Sequence, residues 1–354
     1  MTIKKIFIQN FRNIVVEKMF PDPHINLIVG DNGSGKTAFL ESLWFLSTGR
    51  SFKTANFKKV IHNQSDALLL YVKTLSDLGL KKHKDGALKI KIDGVTSKKI
   101  SDLAYKLPIQ LISPESFSLL LEGPKMKREY MDWGCFHYDV SFYTVWLKYH
   151  QLLKVRNTLL KKKTSQTYLH FWNEQLIYYG NKLTELRFLW FNDFITEFHT
   201  VVKFFLPVLS IQVSLFQGWD NHFDLTTAFK KQYQRDVILG YTTVGPHKAD
   251  LRFKINNVPV QDFLSRGQLK LLVCVLKLVQ GSLLEKGHII GQKCIYLIDD
   301  LSSELDMKNR MLLLDKLKQN QNQVFMTAID QSSFNFTHWN KLFHVKRGVF
   351  NEIS

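Results

Sequence analysis

The sequence predicts an α/β protein whose sheet-rich head is assembled from both ends of the chain, with a mostly helical lobe inserted between them. Three observations carry this prediction. The apolar run Ile25-Asn26-Leu27-Ile28-Val29 ends at a glycine-rich turn, Gly30 to Gly35, and Lys36-Thr37 then opens a helix-like stretch from Ala38 to Leu43. Far along the chain a second apolar run, Cys294 to Ile298, ends in the paired carboxylates Asp299-Asp300. Between them, Trp172, Leu176, Tyr179, Leu183, Leu186 and Trp190 alternate steps of four and three, the seam of a long packed helix.

The elements follow in order. Ile6-Phe7-Ile8 and Ile25 to Val29 read as strands separated by a Pro21/Pro23 turn, and further strands are expected at Leu68 to Val72 and Leu88 to Ile92, the latter closed by Asp93-Gly94. Lys81, Lys82, His83 and Lys84 are expected in the loop between those last two strands. Residues 1–110 thus form the first part of the head and 111–207 the helical lobe, in which a helix over 143–163 turns through Lys161 to Ser165 into one that runs until Pro207. The seam is assigned to packing within the chain. A β-rich segment over 208–263, with strands at Ile211 to Phe216 and Leu251 to Ile255, leads back toward the head; 264–354 completes the head with alternating helices and strands.

Composition narrows the function classes. The 354 residues are 45% hydrophobic and 22% charged, which excludes a disordered chain, and no run of ~18 to 20 consecutive apolar residues marks a membrane span. The N-terminus, with Lys4 and Lys5, lacks the apolar stretch of a signal peptide, so a cytoplasmic protein is expected. Cys135, Cys274 and Cys294 are too dispersed for a disulfide framework or a zinc site. A net charge of +17 favours a polyanionic partner, nucleic acid first.

The chemistry sits in the two motifs. Gly30-Asp31-Asn32-Gly33-Ser34-Gly35-Lys36-Thr37 fits GxxxxGK[ST] between a strand and a helix. Backbone N–H groups of such a loop close around phosphate oxygens, Lys36 reaches the terminal phosphates, and the Thr37 hydroxyl can ligate Mg²⁺. Asp299 is expected to orient the metal shell and Asp300 to polarise an attacking water, which makes a hydrolase. Asp is one methylene shorter than Glu, so a weak Mg-dependent ATPase is expected; Glu304 is a rival base. Ahead of the acidic strand, Leu264-Ser265-Arg266-Gly267-Gln268 resembles the ABC signature, with Ser265, Gly267 and Gln268 offering a hydroxyl and amides to a γ-phosphate. The same residues read as a capping box, Ser265 with Gln268 three positions on. One chain cannot easily bring this segment to its own phosphate loop, so an ATP-dependent homodimer is expected. Ser303-Glu304-Leu305-Asp306 looks like the D-loop, and Thr327-Ala328-Ile329 stands where a switch histidine would, leaving the γ-phosphate sensor unassigned. His247, within Gly245-Pro246-His247, reads as structural.

Phe11-Arg12-Asn13, Gly49-Arg50-Ser51-Phe52, Pro114-Glu115, Gly123-Pro124, Asp132-Trp133-Gly134, Gly240-Tyr241-Thr242 and Gly245 to Leu251, with the signature segment, together resemble the bacterial RecF family from end to end. This resemblance implies an ABC-type P-loop ATPase head of the SMC/ABC-like superfamily. It also implies DNA binding, with little sequence preference, to single-stranded, double-stranded and gapped DNA, closure by ATP into a dimer, and action with RecO and RecR to promote RecA loading at single-strand gaps in DNA replication, repair and the SOS response. By the same resemblance Arg12 and Asn13 lie near the nucleotide, and Gln110 touches Mg²⁺. Lysine clusters at 58–59, 81–84, 98–99, 125–128 and 161–163 are candidate phosphate contacts. A transporter ATPase and a small-molecule P-loop kinase are the other readings.

Overall fold

The computed structural model describes residues 1–287, 292–331 and 339–353, without the Gln166 side chain. They fall into two compact units: the described residues of Met1–Phe117, Lys270–Glu285 and Gly291–Ser354, and those of Ser118–Leu269 and Lys286–Ile290.

The first unit holds two six-stranded sheets. One runs in the order Val349–Ile353, Lys341–Lys346, Ile25–Val29, Gln323–Ala328, Ile295–Ile298, Ile109–Ile112, and is parallel except for the hairpin at its Val349–Ile353 edge. Strands covered on both faces are mostly apolar, and Ile25–Val29, Gln323–Ala328 and Ile295–Ile298 are buried at every residue. The helix Lys36–Thr48 is ended by Gly49 in the left-handed conformation, φ 68°, whose N–H donates to the Phe45 carbonyl.

The other sheet is antiparallel, in the order Ile14–Met19, Lys5–Phe11, Ala67–Lys73, Asp77–His83, Leu88–Ile92, Val95–Ser97. Its inner face, Ile6, Ile8, Leu68, Leu70, Val72, Leu78, Leu80 and Ile90, packs in one core with Phe39, Leu43 and Phe45 of the helix. The alternation corrects one expectation: Lys81, Lys82 and His83 lie within the strand Asp77–His83, not in a loop, because Leu78 and Leu80 bury alternate positions that Gly79 and the lysines obscure.

In the second unit the helices Phe142–Lys161 and Gln166–Phe205 form a hairpin. Leu176, Leu183 and Trp190 of the seam are fully buried, and the stripe continues through Phe194 and Phe198. Two members of the stripe are not apolar. A Cβ at Gly180 would lie 2.7 Å from the Leu225 side chain, and Arg187 is buried because it donates to Asp132 Oδ1 at 2.7 and 2.9 Å and to the Pro246 carbonyl at 2.7 Å. The segment 208–263 carries the strands Gln212–Phe216, Asp250–Ile255 and Val258–Pro259, but also a helix the sequence reading did not expect, Leu225–Leu239. Its sequence signal is terminal, since Asp224 accepts from the Thr227 N–H and Gly240 takes φ 71° at the other end, while only Leu225, Ala228 and Phe229 supply buried apolar surface.

The helix Arg266–Lys286 is long and apolar enough to cross a membrane by composition, and 72% of its apolar window is buried inside the protein. It is the only such helix among the described residues.

Candidate nucleotide-binding site

At the carboxyl ends of the parallel strands lies a cleft of about 450 Å³, where open α/β sheets place their ligands. Asn13, Asn32, Gly33, Gly35, Lys36 and Thr37 line it together with Lys53, Pro114, Asp299, Asp300, Thr327 and Ile329. Gly30, Asp31 and Ser34 shape the loop from behind. A Cβ at Gly30 would sit 2.4 Å from the Val345 carbonyl oxygen, so only glycine fits against that strand. Asn13 donates to the Gly33 and Ser34 carbonyls at 3.3 and 3.2 Å, and the Gly348 N–H donates to the Ser34 carbonyl at 2.7 Å. These bonds turn the loop's carbonyls outward, toward protein partners.

The polar inventory fits a triphosphate with a divalent metal. Lys36 Nζ donates to the Gly30 and Asp31 carbonyls at 2.5 and 2.9 Å and has no carboxylate partner, and burial holds its pKa below the ordinary lysine value against the pull of Asp299, Asp300 and Asp31. Ser34 Oγ is buried without a hydrogen-bond partner, outside the lining of the cleft. Thr37 Oγ1 lies 3.0 and 3.1 Å from the Asp299 carboxylate oxygens, so the two groups expected to share a metal are brought together from opposite ends of the chain.

Asp299 is 5% exposed, and burial raises its pKa above the ordinary carboxylate value against three opposing contacts: hydrogen bonds from Thr327 and Thr37, and the charge of Lys53. Thr327 Oγ1 donates to Asp299 Oδ1 at 2.8 Å and accepts from the Asp300 N–H at 3.1 Å, so one hydroxyl sets both acids. Asp300 takes the left-handed conformation, φ 50°, as it opens the short helix Leu301–Glu304, and Ser302 Oγ donates to its Oδ1 at 3.0 Å. Glu304 is engaged elsewhere, 2.6 Å from Lys270 Nζ.

Arg12 also lines the cleft, at φ 51°, and its guanidinium forks onto the fully buried Glu41 carboxylate, which Ser51 also donates to. Gln110 departs from expectation. It is 1% exposed in mid-strand and donates to Gln280 Oε1 at 2.6 Å inside the core, so its side chain is committed away from the cleft and does not face a metal. One lining residue not anticipated from the sequence is Lys53, whose Nζ lies 3.0 Å from Glu115 Oε1 and 3.9 Å from Asp299 Oδ2. Lys53 directly follows the Gly49 to Phe52 segment, but no spacing rule ties it to Asp299.

The signature segment lies in the second unit. Ser265 N–H donates to Gln268 Oε1 at 3.0 Å and the Gln268 N–H to Ser265 Oγ at 3.2 Å, a complete capping box. Ser265, Arg266 and Gly267 are exposed, and a Cβ at Gly267 would meet nothing within 4 Å. His247 is structural: Nε2 donates to the Thr242 carbonyl at 3.0 Å, so Nδ1 accepts from the Tyr149 hydroxyl at 2.7 Å.

A glycine-rich loop between strand and helix, an aspartate-ended strand one place removed in the same parallel sheet and a capped signature helix define an ATPase head of the SMC/ABC-like class. The model of the RecF/RecN/SMC N-terminal domain matches residues 2–351. DNA replication and repair protein RecF of Shewanella denitrificans is 44% identical over 98% of both chains, and that of Shewanella frigidimarina 43% identical over the whole of both. Among solved structures, "Structure of the recombination mediator protein RecF-ATPrS in RecFOR pathway" superposes with a TM-score of 0.88 at 25% identity, over 99% of this chain and 98% of the other. An Smc head bound to a ScpA domain shares the fold at a TM-score of 0.60 and 13% identity, over 100% of this chain and 97% of the other. The chain belongs to the bacterial RecF family.

Proposed function

We propose that the protein is an ATP-controlled DNA-binding ATPase of DNA replication and recombinational repair, acting in the cytoplasm at single-strand gaps and in the SOS response. The reading rests above all on the meeting of Thr37, Asp299 and Thr327 beside the phosphate loop, supported by full-length similarity to RecF proteins. The full-length likeness to RecF proteins supports this reading over a transporter ATPase or a small-molecule kinase.

The loop amides of Gly33 to Thr37 and the Lys36 ammonium hold the phosphates of ATP; Asn13 braces the loop, and Arg12 the helix that follows it, beside the nucleotide. Thr37 and Asp299 would hold Mg²⁺, which supplies charge neutralisation at the transferring phosphoryl group. Asp300 orients a water and accepts its proton, and the short aspartate makes turnover slow. Exposed Ser265 and Gly267, with Gln268, complete the site of a second copy, so ATP closes a homodimer. That dimer retains DNA and, with RecO and RecR, promotes RecA loading. In this scheme 1–110 and 264–354 act as the head, 111–207 as the helical lobe and 208–263 as the connection between them.

The test is fluorescence anisotropy of a labelled gapped duplex titrated with the protein in ATP, in ADP and without nucleotide, at several salt concentrations. Salt-sensitive binding that tightens with ATP is expected. Equal binding in all three states would separate the DNA contact from the nucleotide cleft and overturn the proposal.

A further inference from the structure

The outer face of the antiparallel sheet is uncovered, and its charge is one-sided. Register places Lys18, Phe7, Tyr71, Gly79 and Lys91 in one cross-strand row, and Leu69, Lys81 and Lys89 in the next. Lys18, Lys81, Lys89 and Lys91 are exposed and form no ion pair among the described residues, and the acids on this side, Asp77, 3.9 Å from Lys73, and Asp93, whose Oδ1 accepts from the Asp77 N–H at 2.8 Å, sit together. Lys81 and Lys89 are directly opposed partners on neighbouring strands. Like charges at that spacing repel and weaken a sheet. A fold gains nothing internally from such a pair, and an edge-protection role does not account for Lys81, whose strand Asp77–His83 is an inner one of the sheet.

A flat, regularly spaced array of ammonium groups complements a regularly spaced row of phosphates. Strands about 4.8 Å apart, with same-face residues every second position, set the grid. Gly79 lies in the middle of the Phe7, Tyr71, Lys91 row and leaves the backbone open to close approach, its missing Cβ having only carbonyl oxygens at 3.9 Å for neighbours. The other basic clusters are in part consumed internally: Lys127 pairs with Asp250 at 2.8 Å, and Arg128 donates to the Ala249 carbonyl at 2.9 Å.

We infer that this face, centred on Lys81, Lys89 and Lys91, is a contact surface for the phosphate backbone of DNA. The inference rests on the DNA-binding reading above and assigns it a place. It requires no base contacts, so affinity depends on salt and little on sequence.

The test compares wild-type protein with Lys89→Gln/Lys91→Gln and with Lys81→Glu, on labelled duplex and single-stranded oligonucleotides over a salt series, with thermal unfolding measured in parallel. Each lysine that leaves a phosphate lowers the slope of log K against log salt by about 0.9, so the double variant is expected to lose about 1.8 of slope and tenfold or more in affinity at 0.1 M salt. Lys81→Glu turns a repulsive pair into an attractive one. It should therefore weaken DNA binding while raising the melting temperature, a combination that simple misfolding cannot produce. Unchanged affinity and slope in both variants, with wild-type protein binding normally, would overturn the placement alone. An equal loss in the exposed-charge control Lys318→Gln would reduce the effect to net charge and overturn it too. Loss of binding to phosphatidylserine vesicles with DNA binding intact would assign the face to a membrane, and a wild-type chain that binds no DNA would overturn both readings.

Discussion

Asp299 shows how a single residue can be costly to the fold and still be retained. Its carboxylate is buried between two threonine hydroxyls, and burial raises its pKa above the ordinary value of 3.8. An acid with a raised native pKa binds more protons folded than unfolded in the window above 3.8, so stability falls as pH rises through that window. Asp299→Asn should accordingly raise the melting temperature at pH 7 without nucleotide, while abolishing the gain in ATP affinity that Mg²⁺ gives; a lower melting temperature would refute the account. Asp300→Asn removes a proton acceptor but leaves the loop, Lys36 and Asp299 in place. It should reduce turnover by roughly 10²- to 10⁴-fold with ATP affinity unchanged, and single-turnover hydrolysis at wild-type rate would rule Asp300 out as base. Both aspartates were legible as residues, because two acids at the end of an apolar strand have few other uses. Thr327 and Lys53 were not legible as their partners. They arrive from a neighbouring strand and from beyond the phosphate-loop helix, and sequence spacing carries no trace of such meetings.

At the scale of elements, the helix Arg266–Lys286 has two claims on its first turn. Ser265 and Gln268 cap it locally, yet Ser265, Arg266 and Gly267 remain exposed. The two roles separate by substitution. Ser265→Ala should cost about 1 kcal/mol of stability through the lost cap. Ser265→Arg should leave ATP binding by the monomer intact and block ATP-driven dimerisation in sedimentation velocity, since a long cation would enter the nucleotide site of the second copy. Dimerisation unchanged by arginine would reduce the segment to a cap. The seam of the long helix was legible for the same reason caps are: both are short-range periodic patterns. Gly180 and Arg187 in the same stripe were not, because close approach to Leu225 and a bond to the Pro246 carbonyl are set by what packs against the helix. The strand Asp77–His83 was missed where lysines alternate with leucines, and the helix Leu225–Leu239 where apolar runs flank a polar middle.

For the whole molecule, pH stability is set by buried histidines of the second unit. His247 is held neutral by burial, its pKa pushed down to about 4, and His137 is pushed down to about 3 by the same cause. The unfolded chain takes up these protons near pH 6.5 and the folded one does not, so stability is fully present above that value and is lost as pH falls toward the native pKa values. For His247 alone the loss amounts to roughly 3 kcal/mol. Denaturant titrations at pH 7 and pH 4.5 should show it, and His247→Asn should reduce the difference while His137 keeps its share; an unchanged pH slope would refute the linkage. The sequence by itself determined the fold class, the phosphate loop, the acidic strand and the family, because each is written in contiguous residues whose order is the signal. Only the tertiary structure decided that Gln110 is committed to Gln280, that Lys53 and Thr327 attend Asp299, and that Lys81 and Lys89 stand opposed on an open sheet face. Those facts depend on register and on contacts between distant segments, and such contacts arise when burial of apolar surface folds the chain back on itself.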